Sequence, residues 1–277
     1  MTSNHKLHKL KMSLINLKIA DFIISIKFSP TINENIPIEG IFNTLEQDIK
    51  YHFRDFITKE KVKKIDYTIE AFPFSPYLTH RKNRVFLFFF EENPTKIVTY
   101  QNISIHEMVI IVRYALLKLL SLNKGMFFHA SASLVNNKAV LFLGSSGSGK
   151  STIVTLLKNK HEIIADDTLI LREDKSGLYF YQSPFYEKGL GVKSPRNKFL
   201  VNNIIFIKKS KQSNIKQITN KEKIIINLTH QLCLEKVFLN MLLQNLFLVV
   251  KKYNFFYYLE FPKNRAELLK LIRKSNS

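Results

Sequence analysis

Eight consecutive residues, Gly144-Ser145-Ser146-Gly147-Ser148-Gly149-Lys150-Ser151, fit the spacing G-x-x-x-x-G-K-[ST] without departure. That spacing suits a polyphosphate. The glycines let the backbone fold back with its amides pointing inward, and the N-terminus of a following helix adds a fixed positive end. A lysine in the seventh place, Lys150, reaches the β- and γ-phosphates, and the next hydroxyl, Ser151, ligates the magnesium that bridges them. Thr152 completes the stretch expected to touch nucleotide. The competing reading is a flexible Gly/Ser turn. Glycine is scarce, 8 in the chain, and three fall in this loop, which favours the phosphate cradle.

Two acids, Asp166 and Asp167, end an apolar run, Ile163-Ile164-Ala165, shortly after the loop. As a polar turn they would cap a strand; beside phosphates they offer magnesium and base chemistry. His129 precedes the loop within the apolar run Met126 to Val135, where a lone histidine is more often structural than catalytic. The stretch 183–196 is too long for a mere connector. Its Lys188, Lys193 and Arg196 either clamp phosphate or are solvated.

These residues need a sheet to position them. Ala139 to Leu143 enters the loop as a buried strand, and Ser151 to Lys158 leaves it as a helix. Met126 to Val135 and Lys138 to Leu143 predict a hairpin through Asn136-Asn137, which makes the sheet mixed. The short crossover to Ile163–Asp167 predicts a strand beside the loop strand, with its C-terminal end at the phosphates. Successive strand residues face opposite sides, so both acids serve one site only if the backbone bends there. Thr168 to Leu171 runs on, Ser176-Gly177 turns, and Leu178 to Gln182 returns.

Downstream, a strand is expected at 203–208, a polar mobile connection at 209–221, a largely helical stretch from Ile224 to Tyr253, a strand at 255–261 and a helix at 265–274. Ile105 to Leu122 predicts a helix stopped by Asn123-Lys124-Gly125. Ahead of it, residues 1–103 predict a smaller α/β unit, with strands at 22–26, 67–72 and 85–90 and an amphipathic stretch from Ile41 to Phe53. The expected division is therefore 1–103, a unit for substrate or partner binding, and 104–277, the phosphate-loop domain.

Composition limits the rest. With 277 residues, 45% of them hydrophobic, the chain can build a sizeable core. The single cysteine, Cys233, allows no internal disulfide and points to a reducing compartment, hence a cytoplasmic location. The basic start at Lys6, Lys9 and Lys11 is followed by a stretch broken by Asn16 and Lys18, so no signal peptide is expected. Val237 to Val250 is shorter than a membrane span and carries Asn240, Gln244 and Asn245; it predicts a core helix, and no transmembrane segment is expected. A formal charge of +20 suits an anionic partner, or reflects a chain crowded with Lys, Ile and Asn. No nucleic-acid signature accompanies the charge, so a nucleic-acid partner is not expected.

The run from His129 to Ala132, the loop with its entering strand, and Ile164-Ala165-Asp166-Asp167 together resemble the C-terminal catalytic domain of HPr kinase/phosphorylase and its smaller relatives. The resemblance covers about residues 125 to 195. It implies an α/β phosphate-loop kinase domain with a mixed sheet, akin to phosphoenolpyruvate carboxykinase, using ATP and Mg2+. It also implies Asp166 as the base for the acceptor serine, His129 beside it, and Lys150 on the transferring phosphoryl. Ser151, Asp167 and Glu187 would hold magnesium. Glu187-Lys188-Gly189-Leu190-Gly191 is similar to the family's Glu-Ile-Arg-Gly-Leu-Gly segment, with one residue fewer and Lys188 in place of the Arg. The family's HPr-binding loop has no counterpart, and the first hundred residues match nothing in it. The expected function is ATP-dependent transfer of the γ-phosphoryl to a serine of a protein, a peptide or a small serine-like molecule, in a chain that could form a homo-oligomer. The alternative is a nucleotide-binding module without kinase chemistry that switches binding to an anionic partner.

Overall fold

The computed structural model describes residues 13–29, 39–72, 89–100, 103–185, 198–210, 212–261 and 264–275. It is an α/β structure with two mixed sheets. Contacts divide the chain into Met1–Leu116 and Leu117–Ser277, between two residues of one helix, Ile105–Leu122.

The first unit holds strands β1 (Ser13–Ile19), β2 (Phe22–Phe28), β3 (Tyr67–Phe72), β4 (Phe89–Asn93) and β5 (Lys96–Tyr100), in the sheet order β1-β2-β3-β5-β4. Helix α1 (Glu39–His52) supplies Leu45 and Ile49 to its buried residues. β1 and β2 form a hairpin through Ala20 and Asp21, both with positive φ as a two-residue turn of this hand demands. β1 alternates Ile15, Leu17 and Ile19 inward with Asn16 and Lys18 between them. The residues that break a leader-like run thus take the alternate positions of a strand. The expected strand at 85–90 falls largely outside the described residues, and β4 begins only at Phe89.

Helix α2 (Ile105–Leu122) ends with Lys124 at φ 55, so lysine and not Gly125 takes the left-handed turn. Gly125 instead opens the next strand, where a Cβ would lie 2.4 Å from Leu120 Cδ2.

The second unit is built on β6 (Gly125–Val135), β7 (Lys138–Leu143), β8 (Ile163–Asp174), β9 (Gly177–Gln182), β10 (Lys198–Lys209), β11 (Asn214–Gln217) and β12 (Phe256–Phe261). Its order is β11-β12-β10-β7-β6-β8-β9, and β10 also pairs with β9, closing the five strands from β10 through β9 on themselves. β7, β10 and β12 run parallel; β6 is antiparallel to both β7 and β8. The hairpin through Asn136 and Asn137 has positive φ at both turn residues. It also corrects an expectation: β8 does not neighbour the loop strand, because β6 takes the place between β7 and β8.

Helices α3 (Lys150–Leu157) and α6 (Arg265–Ser275) cover one face, packing Ile153, Leu157, Leu268 and Ile272 on Phe142, Ile205 and Leu259. The largely helical stretch is α4 (Lys221–Thr229), a bend with a short 3-10 turn, and α5 (Leu239–Lys252). The polar connection after β10 contains β11, an edge strand paired to β12. In α5, buried Asn245 donates to Ser121 O at 2.9 Å and Gly125 O at 3.3 Å, satisfying carbonyls in the last turn of α2 and at the start of β6. Among the described residues no helix is long and apolar enough to cross a membrane.

Candidate functional site

The loop leaves β7 at Gly144 and enters α3 at Lys150. Gly147 and Gly149 have φ of 76° and 114°, which side-chain-bearing residues rarely adopt. Gly149 caps α3 without a side chain, and its carbonyl accepts the first helical bond from Ile153 N at 2.9 Å. Gly144 is glycine for a different reason: a Cβ there would lie 2.5 Å from Ser148 Oγ. Ser148 Oγ is itself buried with no hydrogen-bond partner among the described residues. The Lys150 ammonium curls over the loop, donating to Gly144 O at 2.5 Å and Ser145 O at 3.4 Å. Ser145, Ser146 and Ser151 are exposed, with Thr152 half-buried on α3.

The acids follow from the strand order. β8 carries a bulge at Ile164, since Ala132 pairs with Ala165 but Ser133 with Ile163. Asp166 and Asp167 come just after it, inside a continuous twelve-residue strand and not at its end. Asp166 lies opposite Ser131 and accepts its hydroxyl at 2.9 Å. Ser131 also lies opposite Phe142, a member of the core under α3, so Asp166 points to the face that α3 covers. Asp167, paired with Ala130, points the other way. It is buried and meets His129 Nδ1 at 2.9 Å, with the imidazole half-exposed. His129 thus bonds Asp167, whereas the resemblance puts it beside Asp166. Glu187, Lys188, Lys193 and Arg196 lie outside the described residues.

A cavity of about 570 Å³ opens beside the loop. Gly144, Ser145, Ser146 and His129 form one side, and Lys208, His230 and Tyr258 line it from β10, the end of α4 and β12. It sits beyond the C-terminal ends of the parallel pair β7 and β10, where open α/β sheets place ligands. The sequence offers no signal for the α4 contributors, because their region reads only as a largely helical stretch. Their position depends on where α4 stops.

No family model matches the chain, and no curated protein matches it. Among solved structures it is similar to the Hpr(Ser) kinase/phosphatase from Coxiella burnetii, with 15% identity over 53% of this chain and 94% of that one, at a TM-score of 0.30. At that score the likeness carries no weight for the chemistry, which rests on the chain's own residues.

Proposed function

We propose that the chain is an ATP-dependent kinase that transfers the γ-phosphoryl group to a serine-type hydroxyl. The observation that carries this reading is the shared cavity: the glycine loop forms one wall, and His129, held by the buried carboxylate of Asp167, forms the next. The loop fits a polyphosphate, with two glycines at positive φ, an orphaned buried hydroxyl at Ser148 and an ammonium inside the curl. Phosphoryl transfer needs positioning and charge stabilisation above all, which the loop and Lys150 supply.

Nδ1 of His129 faces a carboxylate, which fixes the ring and leaves Nε2 to take the acceptor hydroxyl's proton. Asp166, on the α3 face, and Ser151, in the first turn of α3, offer the hard oxygen donors that Mg2+ accepts while keeping several waters. Glu187 remains the third oxygen donor of this reading. Bound there, the ion would neutralise charge on the phosphates. This assignment exchanges the roles that the resemblance gives the two acids, because the imidazole bonds Asp167.

The test compares Asp166→Asn with Asp167→Asn in γ-phosphoryl transfer at varied magnesium. Asp166→Asn should raise the magnesium requirement, and Asp167→Asn should lower turnover at saturating magnesium. Wild-type transfer in both variants removes the acids from the mechanism and leaves the rival reading, a nucleotide-dependent binding module.

A further inference from the structure

The cavity's two ends can be told apart by the lysine. In a phosphate loop of this spacing the lysine reaches the β- and γ-phosphates, and here its ammonium lies on the carbonyls of Gly144 and Ser145, which line the cavity. The cavity therefore faces the terminal-phosphate end of the loop and not the nucleoside end. His129 lines it as well. Its volume, about 570 Å³, falls in the range of small-molecule sites, which run from roughly 300 to 1,000 Å³.

Beside the amides of Asn227 and Gln231, the remaining polar lining is basic or phenolic. Lys208 brings an ammonium and His230 an imidazole. Tyr258 Oη accepts from Asn227 Nδ2 at 2.6 Å, which leaves the phenol's own hydrogen to donate. The same Asn227 amide donates to Lys223 O at 2.8 Å, so Asn227 positions the phenol. Among the described residues no carboxylate lines the cavity. Glu260 lies 3.5 Å from Lys208 Nζ, with the lysine largely exposed, and Asp167 is held by His129 at 2.9 Å. Phe206 and Ile226 supply apolar walls.

We infer that this cavity is the acceptor pocket and that it takes a small hydroxyl compound bearing a carboxylate. His230, Lys208 and Tyr258 would bind the carboxylate, and the hydroxyl would point at the loop. The inference rests on the proposed kinase reading and deepens it. In the step, the acceptor's hydroxyl oxygen bonds to the γ-phosphorus of ATP as the bond from that phosphorus to the β,γ-bridging oxygen breaks. The hydroxyl proton passes to His129, and the products are ADP and a phosphate monoester. A hydrogen bond to a charged group contributes enough to change affinity by at least about tenfold, so the carboxylate should be felt strongly.

The experiment uses the full chain with ATP and Mg2+ and compares glycerate with glycerol, in which a CH2OH group stands in place of the carboxylate. A serine-containing peptide with blocked ends is the third acceptor. ATP affinity is measured separately by calorimetry. Glycerate should be phosphorylated with kcat/KM at least about tenfold above glycerol and above the peptide. His230→Ala and Lys208→Met should each erode that preference about tenfold while ATP affinity stays within about twofold. Both residues have exposed side chains, and melting curves check that the variants fold. Equal rates for glycerate and glycerol, or phosphate appearing only on the peptide, overturn the acceptor class. Loss of ATP affinity with the preference intact assigns the cavity to the nucleoside and overturns the inference while the kinase reading stands. Failure of the wild-type chain to bind ATP sinks both.

Discussion

Alanine at Gly149 and alanine at Gly144 should both damage the loop, for different physical reasons that can be separated. At Gly149 the backbone sits at φ 114°, beyond the left-handed well that even asparagine visits, while an added Cβ would meet nothing closer than Phe261 Cζ at 3.6 Å. Space is not the obstacle; conformation is. Holding a side-chain-bearing residue in such a region costs about 1–3 kcal/mol. For a unit the size of Leu117–Ser277, each kcal/mol shifts Tm by about 2–4 °C. At Gly144 no positive φ is involved, but a Cβ would lie 2.5 Å from Ser148 Oγ, 3.0 Å from Ser148 Cβ and 3.3 Å from Ile207 O. Crowding by a side chain can be relieved. Ser148→Gly should therefore recover part of the loss in Gly144→Ala, with a coupling of at least about 0.5 kcal/mol, and recover none of it in Gly149→Ala. Thermal melts and ATP calorimetry on the three single variants and the two doubles read both quantities. A Gly149→Ala protein with wild-type melting and wild-type ATP affinity would refute the reasoning, as would equal rescue of both alanine variants.

Other outcomes follow from the same geometry. His129→Ala should lower phosphoryl transfer about 10²- to 10⁴-fold, the usual contribution of a positioned general base, with ATP affinity unchanged; calorimetry beside a transfer assay decides it. Asn245→Leu should cost about 1–3 kcal/mol in urea unfolding, because Ser121 O and Gly125 O lose a buried donor. Burial pushes the Asp174 carboxyl up, but the Ser176 hydroxyl at 2.7 Å, the Ser176 amide at 2.8 Å and the Lys198 ammonium at 3.0 Å outweigh it and hold its pKa at about 2. A depressed carboxylate pKa contributes stability that is present above the unfolded value of about 4 and is lost as pH falls through about 2. Asp174→Asn should accordingly flatten that part of the acid-unfolding curve, measured by melts between those values.

Where local pattern and tertiary placement agree, the sequence is readable. The hairpin into the loop shows because Asn136 and Asn137 tolerate positive φ between two apolar runs. Helix α2 shows because its apolar residues recur at helical spacing. β1 is missed as a strand, although Ile15, Leu17 and Ile19 alternate with polar residues, because its position at the start of the chain invites comparison with a leader peptide. β11 carries almost no pattern, since a short exposed edge strand buries too little to need one. The site divides along the same line. The loop, its lysine and its hydroxyl are local and legible. The pairing of His129 with Asp167 depends on β6 inserting between β7 and β8 and on the bulge at Ile164, neither of which any spacing announces. The α4 wall of the cavity depends on the helix stopping at Thr229.

Single-turnover transfer with γ-labelled ATP bears most directly on the kinase reading. With magnesium and a hydroxyl acceptor present, label should leave ATP and appear in an acid-stable phosphate ester, and Lys150→Met should abolish this. Label that stays on ATP, or appears only as inorganic phosphate whatever acceptor is offered, would contradict the kinase account and leave a nucleotide-binding protein without transferase chemistry.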